Sequence, residues 1–225
     1  ALALRPAIAL HLDGLVLHGT WRNGPACLRV GGRIAIVTSD EQDEAHLYYR
    51  LDNVNVRDGG KLLVNPPAGG SSEPHPIQTN YLHAGGSGRL KYAFADVDGD
   101  GRLDMLLGTC GYHSVPSNTT GLPACAPGGG AIPPCRNNGA TVLLMRQAPP
   151  APDGRLVFEW PEWLAVKGHR VAYGGQELGV APVTGADGRV SLLLATPGGR
   201  HVYWAADDIT WSAAEPPMQP RPPAH

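Results

Sequence analysis

Long apolar runs are missing from this chain of 225 residues, and none approaches the roughly 18 residues that a membrane-spanning helix needs. An excess of charge is missing too. With 18 Lys and Arg against 20 Asp and Glu the formal net charge is −2, so nothing points to nucleic acid or an anionic membrane surface as a partner. Stretches with helical period are few. There is no Gly-x-Ser-x-Gly, no His-Glu-x-x-His and no phosphate-binding loop, which removes the best-marked hydrolase, metalloprotease and nucleotide-binding classes. The 4 cysteines contain no Cys-x-x-Cys pair, which argues against a zinc site made from them. The chain opens at Ala1 rather than Met, as a processed or truncated N-terminus does, and Ala1-Leu2-Ala3-Leu4 is too short to be a signal peptide.

What the chain does have is turn chemistry: 30 Gly and 22 Pro, scattered between short apolar runs, favour an all-β protein. One stretch stands out. Asp96-Val97-Asp98-Gly99-Asp100-Gly101-Arg102-Leu103-Asp104 sets three carboxylates at alternate positions and a fourth four residues on, between the apolar runs Lys91–Ala95 and Met105–Gly108. Side chains so spaced, with glycines that let the backbone fold back, can converge on one hard cation. Calcium fits best, because it takes six to eight oxygen ligands in a flexible geometry. An EF-hand is excluded, since the twelfth position from Asp96 is Leu107 instead of a bidentate Glu and neither flank has helical period. The remaining reading is a calcium turn between two strands.

The stretch from Ala95 to Gly108 resembles the repeat called FG-GAP or VCBS, found in integrin-α-like β-propellers and in many secreted propellers. The resemblance is specific over this stretch, and degenerate copies extend it over much of the chain. In that family the first, third, fifth and ninth loop positions give side-chain oxygens and the seventh a backbone carbonyl. The resemblance therefore implies Asp96, Asp98, Asp100, Asp104 and the carbonyl of Arg102 as calcium ligands.

Internal repetition supports the same architecture. With Arg33, Arg102 and Arg189 in one column, Gly32–Thr38 aligns with Gly101–Leu107 and Gly188–Leu194, each a Gly-Arg followed by an apolar strand. A second strand follows each, at His46–Arg50, Thr141–Met145 and His201–Ala205, and a small-apolar approach precedes each. The copies start 69 and 87 residues apart, and the longer gap contains an insertion between Cys110 and Ala140. Without it the repeat approaches the roughly 40 to 60 residues of a four-stranded blade. In the columns of Asp96, Asp98, Asp100 and Asp104, the first copy holds Cys27, Arg29, Gly31 and Ala35, and the third Val183, Gly185, Asp187 and Ser191. One complete site is expected, in the middle copy.

The expected fold is an all-β β-propeller, a partial or small ring of roughly three to four four-stranded blades with one calcium loop. Residues 1–20 read as N-terminal strands around Asp13-Gly14 that belong to a further blade; 21–64 as the first blade, with Asp40–Glu44 a solvated hairpin tip; 65–88 as an inter-blade loop; 89–166 as the second blade, with the calcium loop and the insertion 110–140; 172–212 as the third; and 213–225 as a Pro-rich tail. Such a ring leaves edges for another subunit, a second copy or further chain to cover.

Three cysteines, Cys110, Cys125 and Cys135, lie in or beside the Pro- and Gly-rich insertion, a segment with little capacity for a core of its own. At least one disulfide is expected there, with Cys27 free in a strand or joined to the remaining thiol; spacing does not choose among the pairings. Asn118-Thr119-Thr120 in the same insertion is an N-glycosylation acceptor for a chain in a eukaryotic secretory pathway. Calcium loop, cysteines and sequon agree on an extracellular or cell-surface setting.

Among functions, adhesion or extracellular assembly through protein or glycan contacts asks least of the sequence. The alternatives are a propeller lectin, with Trp21, Trp160, Trp163, Trp204 and Trp211 available to stack on sugars, and a polysaccharide lyase or glycosidase. His46 and His201 recur with the repeat and read as framework. His83, His113 and His169 are better placed for catalysis, but nothing brings them together.

Overall fold

The computed structural model describes residues 7–19, 24–66, 73–77, 90–109, 139–171, 173–174, 177–196 and 199–213. Within them every regular element is a strand except one turn of 3-10 helix at Ala206–Asp208. The sheets are arranged as a four-bladed β-propeller.

The first blade runs through Ala26–Val30, Arg33–Ser39, Ala45–Arg50 and Asn55–Lys61, each strand antiparallel to the next. Its first hairpin closes in two residues, Gly31 and Gly32, both at positive φ (54° and 78°), the backbone that a two-residue turn needs to follow the twist of its strands. The second blade is built on Lys91–Ala95, Asp104–Gly108, Val142–Met145 and Glu162–Val166. The third has Gly179–Thr184, Val190–Thr196 and Arg200–Trp204. All three expected copies of approach strand, Gly-Arg strand and following strand are thus present as antiparallel triplets.

The remaining connections differ from the expectation. The N-terminal hairpin, His11–Leu12 with Leu15–Val16, does not start another blade; it adds in parallel to Asn55–Lys61, with His11 opposite Asn55, and widens the first blade to six strands. The fourth sheet is assembled from two-residue strands of both halves: Gln147–Ala148, Val157–Phe158, Leu63–Val64 and His75–Pro76. The segment that follows the third blade, Ile209–Ala213, turns back to pair with Glu162–Val166 along five residues of the second blade.

Packing shows how the second blade joins two cores. Asp104–Gly108 is buried at every position, so it carries no polar face and reads Met-Leu-Leu instead of alternating. Its side chains still alternate in direction. Met105 and Leu107 join Leu143, Met145 and Trp163 in a core with Leu28, Val37 and Leu47 of the first blade and Phe158 of the fourth. Leu106 joins Leu144, Leu164 and Val166 in a second core with Leu178, Leu192 and Leu194 of the third. A buried hydrogen bond between Ser39 Oγ and Tyr92 Oη, 2.7 Å, links the first blade to the second.

The Asp40–Glu44 turn is not simply a solvated tip. Asp40 Oδ1 accepts from the backbone N–H of Gln42 and Glu44, and Glu44, 6% exposed, is paired with Lys61 across the sheet. Asp40 also holds His46, whose other nitrogen lies 2.7 Å from Asp58 Oδ1. A charge run in sequence becomes a partly buried ion network because the strand register places Lys61 opposite His46.

Candidate metal centre

Lys91–Ala95 and Asp104–Gly108 pair from Ala95 opposite Asp104 outwards, which leaves residues 96–103 as the connecting loop. The corresponding connections in the first and third blades, 31–32 and 185–189, are shorter. Cys27 and Arg29, aligned without gaps to Asp96 and Asp98, therefore lie in a strand and not in a loop. Only the second blade has enough chain at this turn to surround an ion.

Each aspartate in the loop has a distinct position. Asp104, the first strand residue and 1% exposed, accepts from Val97 N–H at 3.0 Å and Gln147 N–H at 2.9 Å. Asp96 accepts from Gly99 N–H at 2.8 Å and Gly101 N–H at 2.9 Å, and both glycines are at positive φ (78° and 85°). That backbone winds the loop around the Asp96 carboxylate, and a side chain at either glycine would be strained by φ alone. Asp98 is more exposed; it accepts from Asp100 N–H at 3.3 Å and from Arg146 Nη1 at 3.1 Å.

One oxygen each of Asp96, Asp98 and Asp104 lies within 4.8 Å of the others. Two oxygens bound to one calcium at about 2.4 Å are separated by at most about 4.8 Å, so this spacing suits a shared ion. Asp100 stands apart: its carboxylate accepts from Arg102 N–H at 2.8 Å and pairs with the Arg102 guanidinium. Three of the four expected carboxylates are brought together and the fourth is turned to Arg102. The donor set, all carboxylate oxygen on a glycine-containing loop, matches calcium chemistry rather than that of a softer metal.

Burial pushes the Asp104 carboxyl above its ordinary pKa, against the opposing pull of its two backbone hydrogen bonds, and the Asp98 charge pushes the same way. A divalent cation would reverse both effects.

Two residues that the sequence did not mark complete the surroundings. Gln147 donates its backbone N–H to Asp104, accepts from Leu103 N–H through its side chain at 3.2 Å, and accepts from Arg102 Nε through its carbonyl at 2.9 Å. Arg146 bridges Asp98 and Glu162, with Nε 2.8 Å from Glu162 Oε1. Both lie more than 40 residues from the loop in sequence, and nothing but the strand Val142–Met145 leading to them hints at the contact.

Of the other candidate residues, Cys27 is a free, exposed thiol. Cys110, Cys125, Cys135 and Asn118 lie outside the described residues, as do His83, His113 and Trp21. The tryptophans considered for sugar stacking are largely drawn inward. Trp163 is buried, Trp160 packs on the first core, and Trp204 and Trp211 pack on the second, with Trp204 Nε1 donating to Tyr173 Oη at 2.6 Å.

Comparison with protein families, with characterised proteins and with solved structures finds no match to this chain.

Proposed function

We propose that the chain is a calcium-stabilised β-propeller module that acts outside the cell or at its surface, in adhesion or extracellular assembly through protein or glycan contacts. The observation that carries the proposal is the grouping of Asp96, Asp98 and Asp104, one oxygen of each within 4.8 Å of the others, at the bend between two strands of the second blade. The ion has a structural task. Without it, three carboxylates within 4.8 Å repel one another, relieved by the backbone N–H groups they accept from and by Arg146 beside Asp98. Asp96 in the loop, Asp104 at the root of the strand and Asp98 between them would hold the ion, which would supply the positive charge that lets their carboxylates stay together. A modest-affinity site of this kind is filled at extracellular calcium concentrations.

The resemblance of the loop to FG-GAP/VCBS repeats favours the same reading, as do the cysteine-rich insertion and its sequon. The ring presents loops and blade edges as contact surface, and propellers serve recognition readily because their strands hold such loops rigidly. The test is sedimentation velocity of the purified chain over a concentration series, with cell-surface and matrix extracts captured on immobilised protein, in 2 mM calcium and in EDTA. Self-association or capture that depends on calcium supports the proposal. A strictly monomeric chain that captures nothing in calcium beyond what it captures in EDTA contradicts it.

A further inference from the structure

On the core-facing side of the first blade, Tyr49 stands opposite Ala35 on one neighbouring strand and Arg57 on the other. Arg33, two residues before Ala35, lies on that same face, because side chains alternate along a strand. Towards the core the face is filled by Leu28, Ala35, Val37 and Leu47. At its rim it ends in Tyr49 with a guanidinium on each neighbouring strand: Arg33 Cζ lies 5.7 Å and Arg57 Cζ 5.9 Å from the ring centroid. Both arginines are exposed, and neither has a carboxylate within ion-pair distance among the described residues. Arg102, Arg146, Arg155 and Arg189 are each paired with an acid, and Arg29 and Arg50 donate to nearby carbonyl or amide oxygens; Arg33 and Arg57 instead share one aromatic ring.

The ring is held in place. A Cβ on Gly59 would meet Tyr49 Cε2 at 2.9 Å and Leu47 O at 2.9 Å, so the ring lies directly over a glycine that nothing larger could replace without moving it. An aromatic fixed on bare backbone, with two guanidiniums drawn to it by its quadrupole and left uncompensated, is an anion-recognition arrangement. Guanidinium forks pair bidentately with two oxygens of a carboxylate or of a tetrahedral oxoanion, and the rim of the tyrosine with the partly buried Val30 offers apolar surface for whatever carries the anion.

We infer that Arg33, Tyr49 and Arg57 form a binding site for acidic polysaccharide, gripping sulfate or carboxylate groups on a glycan chain. An acidic peptide fits less well. Peptides commonly dock by adding a strand to an open sheet edge, and the Tyr49 strand has partners on both sides, so only side chains are on offer. A glycan needs nothing more. Nucleic acid is disfavoured by the net charge of −2. The inference takes the glycan side of the proposed function, relies on it only for the extracellular setting, and does not require the calcium ion.

The test measures binding of the whole chain to immobilised heparin, as the sulfated probe, and to polygalacturonate, as the carboxylated one, with poly-glutamate as the peptide control. Each is run in 2 mM calcium and in EDTA at a temperature where circular dichroism shows the fold intact. Arg33→Gln with Arg57→Gln should weaken binding at least tenfold. Arg29→Gln removes the same charge from the opposite face of the same hairpin and should change it less than twofold. The double Arg→Lys variant keeps charge and fold but loses the forks, and should fall between. Retention on heparin alone or polygalacturonate alone supports the site and identifies its anion. No retention on either glycan, equal retention on poly-glutamate, or retention undiminished in the double Gln variant overturns it. Persistence in EDTA separates this result from the fate of the calcium proposal.

Discussion

Replacing Gly108 with Ala tests how closely the second and third blades are stacked. Gly108 pairs with Lys91 on one side and Val142 on the other, and it is fully buried. A Cβ there would lie 2.0 Å from Leu178 O and 3.1 Å from Leu178 C, both backbone atoms. Ordinary C···O contacts start near 3.3 Å, so the two backbones must part by about 1.3 Å. That movement threatens the 3.2 Å hydrogen bond from Leu178 N–H to Thr109 O and disturbs Leu178, which is completely buried in the second core. Overpacking costs about 1–3 kcal/mol and a lost hydrogen bond about 1 more. Restricting the unfolded chain returns about 0.4–1 kcal/mol. The expected loss is about 2 kcal/mol, which for a chain of this size lowers Tm by roughly 4–8 °C. Gly24→Ala is the matched control, since its Cβ would meet mainly the movable Lys91 Cδ, and it should cost under about 1 kcal/mol. Urea unfolding followed by tryptophan fluorescence measures both. A Gly108→Ala protein as stable as wild type, or one less affected than Gly24→Ala, would refute the close approach of these blades.

Three further outcomes follow from the packing and electrostatics. Asp104→Ala orphans the N–H groups of Val97 and Gln147 and should cost about 2–4 kcal/mol even in EDTA, whereas Asp104→Asn keeps an acceptor and should cost less there while abolishing any gain from calcium; urea unfolding with and without the ion separates the two. Ser39→Ala and Tyr92→Phe remove the same buried inter-blade bond, so a double-mutant cycle should give a coupling near 1 kcal/mol, and additivity would contradict the contact. Burial raises the Tyr173 hydroxyl to about 12 despite the bond from Trp204. The folded chain keeps this proton after the unfolded chain has lost it near pH 10, so its contribution is full below pH 10 and falls between about pH 10 and 12; buried Tyr48 and Tyr92 are raised in the same way, so Tyr173→Phe should lessen that alkaline decline in pH-dependent melts without removing it.

The triplets of strands were legible in sequence because the middle strand of each is a largely apolar run of five to seven residues at a fixed Gly-Arg marker. The fourth blade was not. Its strands are two residues long, too short for any period, and it joins Leu63–Val64 in parallel to Val157–Phe158, far along the chain. The N-terminal hairpin could be read as a hairpin from Asp13-Gly14, but its attachment to Asn55–Lys61 depends on long-range register that local sequence does not carry. At the candidate site, alternate aspartates announce a cation loop. Which of them converge depends on neighbours: Arg102 takes Asp100, while Arg146 and Gln147 arrive from another strand. The acidic turn at Asp40–Glu44 misled for the same reason, since Lys61 and His46 compensate it only once the strands are paired.

Calorimetric titration of calcium into the chelator-treated chain, paired with thermal melts, tests the central claim most directly. The account predicts one ion per chain, with Kd on the order of 10⁻⁴–10⁻³ M. At tenfold excess over Kd the ion should stabilise the fold by about 1.4 kcal/mol, and Asp96→Asn with Asp98→Asn should abolish both the heat and the shift. A chain that gives no heat and no change in Tm at 10 mM calcium, or a double variant that binds as tightly as wild type, would contradict it.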